Sequence, residues 1–484
     1  MLQRRLRLLQ AVSLNMSMMV GIGPFITIPT ILTTMGGPQA MVGWVLGAVV
    51  ALADGLVWCE LASAFPGSGG TYHFFDSAFG ESTVGRSLKF LFVWQFLFSG
   101  PLEIATGAIG LAQYLCYFAP GLKEPMWNWG TVFPGWDAPV PWFHLVGLGV
   151  MGLVTFLAYR RIEMAGRLVV VLWVGMLATV GWVIVAGLWN FDAGRAFDFP
   201  EGAWSLSRRN TMGLGMALAI AMYDFLGYYQ ICYLGDEVAD PSRTIPRAIL
   251  ISVVAVASTY LTMNISILGV LPWREAMNSS YVASDMMERI SGPGAAGFVT
   301  LMIIWTAFAS TFAALLGYSR VPYASAKAGH FFRFFAAVHP RADFPHHSLL
   351  LISGLGMLAC LADLGTVIAA LLTSRILIQF VGQILTLFAI RNRPEVAAKL
   401  KFRMPFYPIP AVVALVGWLF VFGTSQWLVL AYGAGTLALG VAAFLVWDRL
   451  KPLGHRSHSD GDVSTPLSEE AFTTEDAGDT EERG

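Results

Sequence analysis

Gly213-Leu-Gly-Met-Ala-Leu-Ala-Ile-Ala-Met-Tyr-Asp-Phe-Leu-Gly-Tyr-Tyr-Gln-Ile-Cys-Tyr-Leu234 is apolar along almost all its length, yet it carries Asp224 about halfway. An uncompensated carboxylate at bilayer depth costs at least about 2.5–3.5 kcal/mol, so this acid needs surroundings other than lipid. Gly227, the clustered aromatics and the polar Gln230 predict that the helix opens here and turns the carboxylate toward a cavity. Broken spanning helices of this kind line midplane binding sites in membrane carriers.

Outward from this segment, the composition sets the class. The 484 residues are 56% hydrophobic and 13% charged, with a mean hydropathy of +0.62, outside the profile of a soluble chain. Apolar windows of about 20 residues, the length that crosses a bilayer, fall near 8–35, 39–64, 88–118, 142–158, 167–189, 211–235, 247–271, 297–328, 347–362, 364–390, 408–424 and 427–447. The expectation is an all-α polytopic membrane protein with twelve spans. The charged start Met-Leu-Gln-Arg-Arg-Leu-Arg leads into the first window without a small-residue cleavage site and reads as a retained span. A polar segment rich in Ser, Thr, Asp and Glu, 451–484, reads as a disordered cytoplasmic tail.

The net charge of −1 carries little information, whereas the placement of Lys and Arg does. With Arg375 set aside as intramembrane, they divide about 23 to 6 in favour of the side that holds both termini, which predicts cytoplasmic termini and an even number of spans. Cys59, Cys116, Cys232 and Cys360 all lie in apolar stretches without metal-ligand spacing or paired loop positions. The histidines form no metal spacing. Gly67-Ser-Gly-Gly70 follows no strand and precedes no Gly-Lys-Ser/Thr, which argues against an ATP-driven pump. No cofactor, catalytic cluster or nucleic-acid partner is indicated, so an enzyme is not expected.

Five spans before Asp224, the first window carries a matching irregularity, Gly21-Ile-Gly-Pro-Phe25. Proline removes a helix hydrogen bond and glycine leaves backbone groups accessible, and the unpaired amides of an outer half-helix form a partly positive site. A simple kink is the competing reading of this motif taken alone. Two further stretches, one after span 2 (66–80) and one after span 7 (273–290), could each form a short surface helix on opposite sides. An offset of five spans inverts the second unit relative to the first, as in inverted-repeat carriers. The division is 1–190 for spans 1–5, 191–392 for spans 6–10 and 393–450 for spans 11–12.

These residues resemble the amino acid–polyamine–organocation superfamily. Gly21–Phe25 is similar to its Gly-Ser-Gly-Ile-Phe segment, Glu60-Leu-Ala-Ser-Ala-Phe-Pro-Gly-Ser-Gly-Gly-Thr-Tyr72 to its span-2 exit, and Gly235-Asp-Glu-Val-Ala-Asp-Pro-Ser-Arg-Thr-Ile-Pro-Arg-Ala248 to its motif after span 6. Gly317-Tyr-Ser-Arg320 and Arg403-Met-Pro-Phe-Tyr-Pro-Ile-Pro410 extend the resemblance from residue 20 to about 425. It implies the LeuT-type fold of ten core spans plus two, alternating access, and amino acids or polyamines as substrates. It also implies that Gly21, Ile22 and Gly23 offer amides to a carboxylate. The backbone around Tyr223, Asp224 and Phe225 would then receive an amine, with Phe225 as gate or stacking surface.

Departures from the family pattern bear on the substrate. Asp224 replaces the usual small residue, and Gly23-Pro-Phe25 with Glu103 resembles the plant-type importers of polyamines and cationic compounds. A cavity-facing carboxylate favours an ammonium group through a charge-assisted hydrogen bond; the other reading of Asp224 is an ion pair with Arg375. Glu103 with Arg375 is the preferred pair, Asp54 reads as structural, and Glu60 as an anchor of the Gly-rich loop. Coupling is left between sodium and protons. Met176 stands where many relatives carry a lysine, while Ala307-x-x-Ser310-Thr311 supplies a carbonyl and two hydroxyls of the kind hard cations prefer. Those hydroxyls could equally bond their own helix. The expected role is an uptake permease in the cell membrane with a small-molecule substrate and the lipid bilayer as partners; an exchanger, or a channel or receptor, are the alternatives.

Overall fold

A computed structural model of the chain describes residues 4–128, 139–159, 162–205, 207–340 and 342–450. The predicted tail 451–484 lies outside the described residues, as do Arg160, Arg161 and Arg341.

The described chain is mostly helical, and helix occupies each apolar window. The first half comprises α1 (Leu8–Met19), α2 (Gly23–Met35), α3 (Val42–Ala64), the short α4 (Thr71–Phe79), α5 (Thr83–Leu115), α6 (Phe143–Ala158) and α7 (Ile162–Trp189). An antiparallel ribbon of β1 (Pro125–Asn128) and β2 (Pro139–Pro141) sits between α5 and α6. After the single turn α8 (Ala193–Ala196) come α9 (Arg208–Phe225), α10 (Gln230–Tyr233), α11 (Pro241–Val270), α12 (Trp273–Ala276), α13 (Val282–Ser291), α14 (Pro293–Tyr318) and α15 (Arg320–Lys327). The rest is α16 (His346–Ala359), α17 (Leu364–Arg375), a π-helical stretch Ile376–Val381 leading into α18 (Gly382–Ile390), α19 (Pro394–Ala397), α20 (Ile409–Thr424) and α21 (Trp427–Leu450).

Among the described residues, seven helices are long and apolar enough to cross a membrane, or eight when α1 and α2 are taken as one span bent by 41°. α6, α16 and α20 are apolar but shorter. This is a polytopic membrane protein. The surface helices expected after the second and seventh windows are α4 and the pair α12 and α13.

Both helix breaks exist, displaced by a few residues from the motifs that announce them. α1 ends with Val20 N–H on the Met16 carbonyl at 2.8 Å, and the Gly21 amide turns back to the Met19 carbonyl at 2.9 Å. Pro24 then lies in the first turn of α2, where its missing N–H costs nothing because first-turn amides have no intrahelical acceptor. The unwound stretch is therefore 20–22, and Gly23 to Phe25 are already helical. In the second break, Asp224 and Phe225 close α9 and the unwound residues are 226–229. Gly227 adopts φ +110°, and a side-chain carbon there would run into Met18 of α1. Only glycine accommodates both that conformation and that contact.

Polar side chains tie the two breaks together. The Asn15 side chain donates to the Tyr228 carbonyl at 2.7 Å and accepts from the Ile231 amide at 2.9 Å, replacing helix bonds lost at the break. The Tyr260 hydroxyl of α11 lies 2.6 Å from the Met19 carbonyl and 3.1 Å from that of Asp224. Gln230 donates to the Ala313 carbonyl of α14 at 2.7 Å.

Near the amino terminus, segments far apart in the chain are tied together. The Arg5 and Leu6 amides donate to the Glu237 carbonyl, each at 2.9 Å, and Ala239 returns a bond to Leu6 at 2.9 Å. The amides of Gly69 and Gly70 reach the Tyr233 and Cys232 carbonyls, each at 3.3 Å, and Ser68 accepts from Asp236 N–H at 2.9 Å. Arg320 and Glu237, both fully buried, form a fork-to-fork pair with distances of 2.8 and 3.3 Å. These contacts correct the reading of Glu60. Its carboxylate takes Arg391 at 2.5 Å and the Met404 amide at 2.7 Å, so it anchors the segment entering α20 and not the Gly-rich loop.

Candidate functional site

A cavity opens where the two breaks meet, roofed by Ile22, Gly23 and Gly21 on one side and by Tyr223, Asp224 and Leu226 on the other. α5 contributes Glu103 and Thr106, and α14 contributes Ser310 and Thr311. The space is narrow enough to admit only solvent-sized molecules. Helix starts and ends, with their unpaired amides and carbonyls, concentrate partial charge there.

Asp224 is the most telling side chain. It is 3% exposed; Thr27 Oγ1 donates to its Oδ2 at 2.6 Å, and its Oδ1 has no hydrogen-bond partner. A side-chain carbon on Gly23 would fall on that same Oδ1, so only a glycine leaves room for the oxygen there. No cation pairs with Asp224 among the described residues.

Arg375 belongs to Glu103 instead. Its Nη1 bonds Glu103 Oε2 and lies 3.1 Å from the Tyr318 hydroxyl and 3.2 Å from that of Tyr229, while its Nε donates to Ser99 at 3.0 Å. Tyr318 donates to the same Glu103 oxygen at 2.5 Å. The guanidinium is fully buried and sits 5.1 Å from the Tyr318 ring centre. The π-helical stretch begins at the next residue; such local widening of a helix recurs at functional sites. Glu103 is thus neutralised by Arg375 while still lining the cavity, and Asp224 is left as its uncompensated acid.

The remaining expected residues divide. Gly21 lines the cavity, but its amide is already bonded to Met19, so the accessible amides reduce to those of Ile22 and Gly23. Phe25 is buried outside the lining, where its carbonyl accepts from Tyr114 at 3.2 Å. Phe225, expected as a gate, packs outside the cavity lining against Trp44 and Tyr260, since two residues along α9 turn it to the face opposite Tyr223; Tyr223 holds the cavity-facing aromatic position. Gly227 serves the break and not the lining. Ala307 stands outside the cavity, and its carbonyl accepts from Ser310 at 3.0 Å and Thr311 at 2.8 Å. The two hydroxyls bond within their own helix yet keep their oxygens at the cavity, with Ser310 against Gly21.

Asn15 and Tyr260 were missed in the sequence, although Asn15 gives the same signal as Asp224, a polar side chain inside an apolar window. Tyr260 gives none, since tyrosine is common in spanning helices. One cluster with ligand-like spacing, Asp76, Glu81 and His330, is filled by a side chain of the protein: the Lys89 ammonium lies 2.7 Å from each carboxylate and 3.3 Å from His330 Nε2.

A membrane protein whose two broken helices enclose a buried, acid-bearing cavity has the architecture of a solute carrier, and similarity to known proteins agrees. The profile of the amino acid permease family matches residues 6–444, and the chain belongs to that family. It is 28% identical over 452 residues to an uncharacterized transporter of Mycobacterium tuberculosis, covering 92% of this chain and 91% of that one. It is 24% identical over 433 residues to the serine/threonine exchanger SteT of Bacillus subtilis (88% and 91% covered). With the Asc-type amino acid transporter 1 of Mus musculus it shares 26% over 361 residues (73% and 64% covered).

Proposed function

We propose that this permease carries amino acids by alternating access, with the substrate ammonium on Asp224 Oδ1 and the substrate carboxylate on the amides of Ile22, the last unwound residue, and Gly23, the first of α2. The buried, unpartnered Asp224 oxygen in the cavity between the breaks carries this reading. Its support is electrostatic: an acid with one donor and no cation is costly in a dry site, and a bound ammonium offsets that cost. Alternating access fits the narrowness of the cavity, which a substrate can enter only after one side opens.

In this reading twelve spans cross the cell membrane as two inverted five-span units of LeuT type, 1–190 and 191–392, followed by two spans in 393–450, with both termini cytoplasmic. The side tied together near the amino terminus is then the cytoplasmic one, closed in this conformation. Uptake is coupled to a cation, either sodium, for which Ala307, Ser310 and Thr311 with the α1 break are the candidates, or a proton. Exchange is the second reading, favoured by the likeness to the serine/threonine exchanger. Two acids at one cavity would suit a diamine, the substrate of the polyamine-importer subtype, but Arg375 leaves only one acid free. Counterflow in proteoliposomes with labelled L-serine, L-arginine and putrescine tests the proposal. Accumulation of an amino acid label against its preloaded unlabelled form is expected, and absence of counterflow for all three contradicts it.

A further inference from the structure

A third intramembrane carboxylate lies outside the cavity. Asp54 of α3 is fully buried, and both of its bonded donors converge on one oxygen: the Tyr228 hydroxyl bonds Oδ2, and Trp58 Nε1 donates to it at 3.0 Å. Oδ1 has no partner. The titratable groups around it are few. The break contributes Tyr228, with Tyr229 behind it stacked on Trp58 at 4.4 Å. α20 contributes Trp418, which lies flat against Phe380 and turns its indole N–H, itself without a hydrogen bond, toward the Asp54 carboxyl as a third neutral donor. α11 meets the neighbouring Gly55 with the apolar Ile249 and Val253. On α3 itself, Cys59 bonds the Pro246 carbonyl and Glu60 is engaged by Arg391. No Lys, Arg or His pairs with Asp54 among the described residues.

Resting on the permease reading above, we propose that Asp54 is the proton-carrying group of the transport cycle, so that the coupling ion is a proton bound at a site separate from the substrate. A carboxylate held by neutral donors in a spanning segment, with a second oxygen open to protonation, can be charged or neutral without breaking an ion pair. Its charge state acts on the break through Tyr228. That hydroxyl gives a charge-assisted bond to the carboxylate, about twice as strong as the bond to a neutral carboxyl. The backbone of the same residue is pinned to α1 by Asn15, and Leu226, two residues earlier, lines the cavity. A proton taken up on Oδ1 from the outer water weakens the hold of α3 on the break and lets the half-helices move; release of that proton to the cytoplasmic water restores it. One proton, and one positive charge, enters per cycle.

The experiment uses the full chain in proteoliposomes holding a pH-sensitive dye, with the labelled amino acid that gives counterflow. In the wild type, substrate addition acidifies the lumen and an inward pH gradient raises uptake. In Asp54→Asn, counterflow persists while acidification and gradient stimulation are both lost. Acidification retained by Asp54→Asn overturns the inference, as does wild-type transport without proton movement, and both outcomes leave the permease reading standing. Wild-type failure in counterflow rejects that reading itself. Should Asp54→Asn give no counterflow, Tyr228→Phe decides: it keeps counterflow and alters the pH profile of gradient-driven uptake, and an unchanged profile overturns the assignment.

Discussion

Asp224 and Gly23 act as a pair. The acid supplies one free oxygen, and the absence of a side chain on Gly23 keeps it free. Gly23→Ala therefore drives a methyl into that oxygen and displaces the acid that a substrate ammonium needs. Overpacking of this kind costs about 1–3 kcal/mol, which read as affinity is about 5-fold to 150-fold; the variant should reach the membrane at normal levels while its apparent substrate affinity in counterflow falls accordingly. Unchanged affinity would place the substrate elsewhere. The acid was legible in the sequence because a carboxylate in an apolar window is costly wherever the chain places it. The pairing of Glu103 with Arg375, preferred in the sequence, is the one the structure holds; what the sequence does not show is that Asp224 keeps Thr27 as its one side-chain donor, because that contact depends on how α2 packs on α9.

At the level of elements, the two breaks are one device. Gly227 against Met18, Asn15 across to Tyr228 and Ile231, and Tyr260 between Met19 and Asp224 join α1, α9 and α11 at the cavity edge. Tyr260→Phe keeps the ring that packs on Trp44 and Phe225 and removes only the hydroxyl. The loss of a buried hydrogen bond costs about 1 kcal/mol or somewhat more, so transport rate should fall severalfold with little change in expression, measured as initial counterflow rate per folded protein; an unaltered rate would show that the bridge is dispensable. The glycines and proline marked both breaks within a few residues. They did not mark where each helix resumes, because Pro24 and Gly23 are tolerated in a first helical turn and so begin α2 without interrupting it. Phe225, expected as a gate, lies outside the cavity lining for a similar reason: a face of α9 is set by the helical turn, which residue type alone does not reveal.

Across the whole molecule, closure of the amino-terminal side draws on distant segments, including Arg5 and Leu6, the Gly-rich loop, Glu237 and Arg320. Nearby, His330 joins α4 and α5 through the Tyr72 hydroxyl at 2.7 Å and the Lys89 and Glu81 side chains. Burial, and then the Lys89 charge, hold its imidazole below the usual histidine range. The unfolded chain thus binds this proton more readily than the native state. The contribution of His330 is intact above its unfolded value of about 6.5 and is lost as pH falls below it. Thermal unfolding in detergent should show the wild type losing stability between about pH 7 and pH 5 more steeply than His330→Gln; parallel curves would remove His330 from the closure. None of this network was readable in the sequence beyond the separate motifs, because its bonds join residues far apart along the chain. The reading of the whole molecule as an amino acid carrier turns on the free oxygen of Asp224, and its most direct test is counterflow of the labelled amino acid by Asp224→Asn beside the wild type. Asparagine keeps the size and removes the charge, so the account predicts loss of counterflow in a protein that still folds and reaches the membrane; full counterflow in that variant would contradict it.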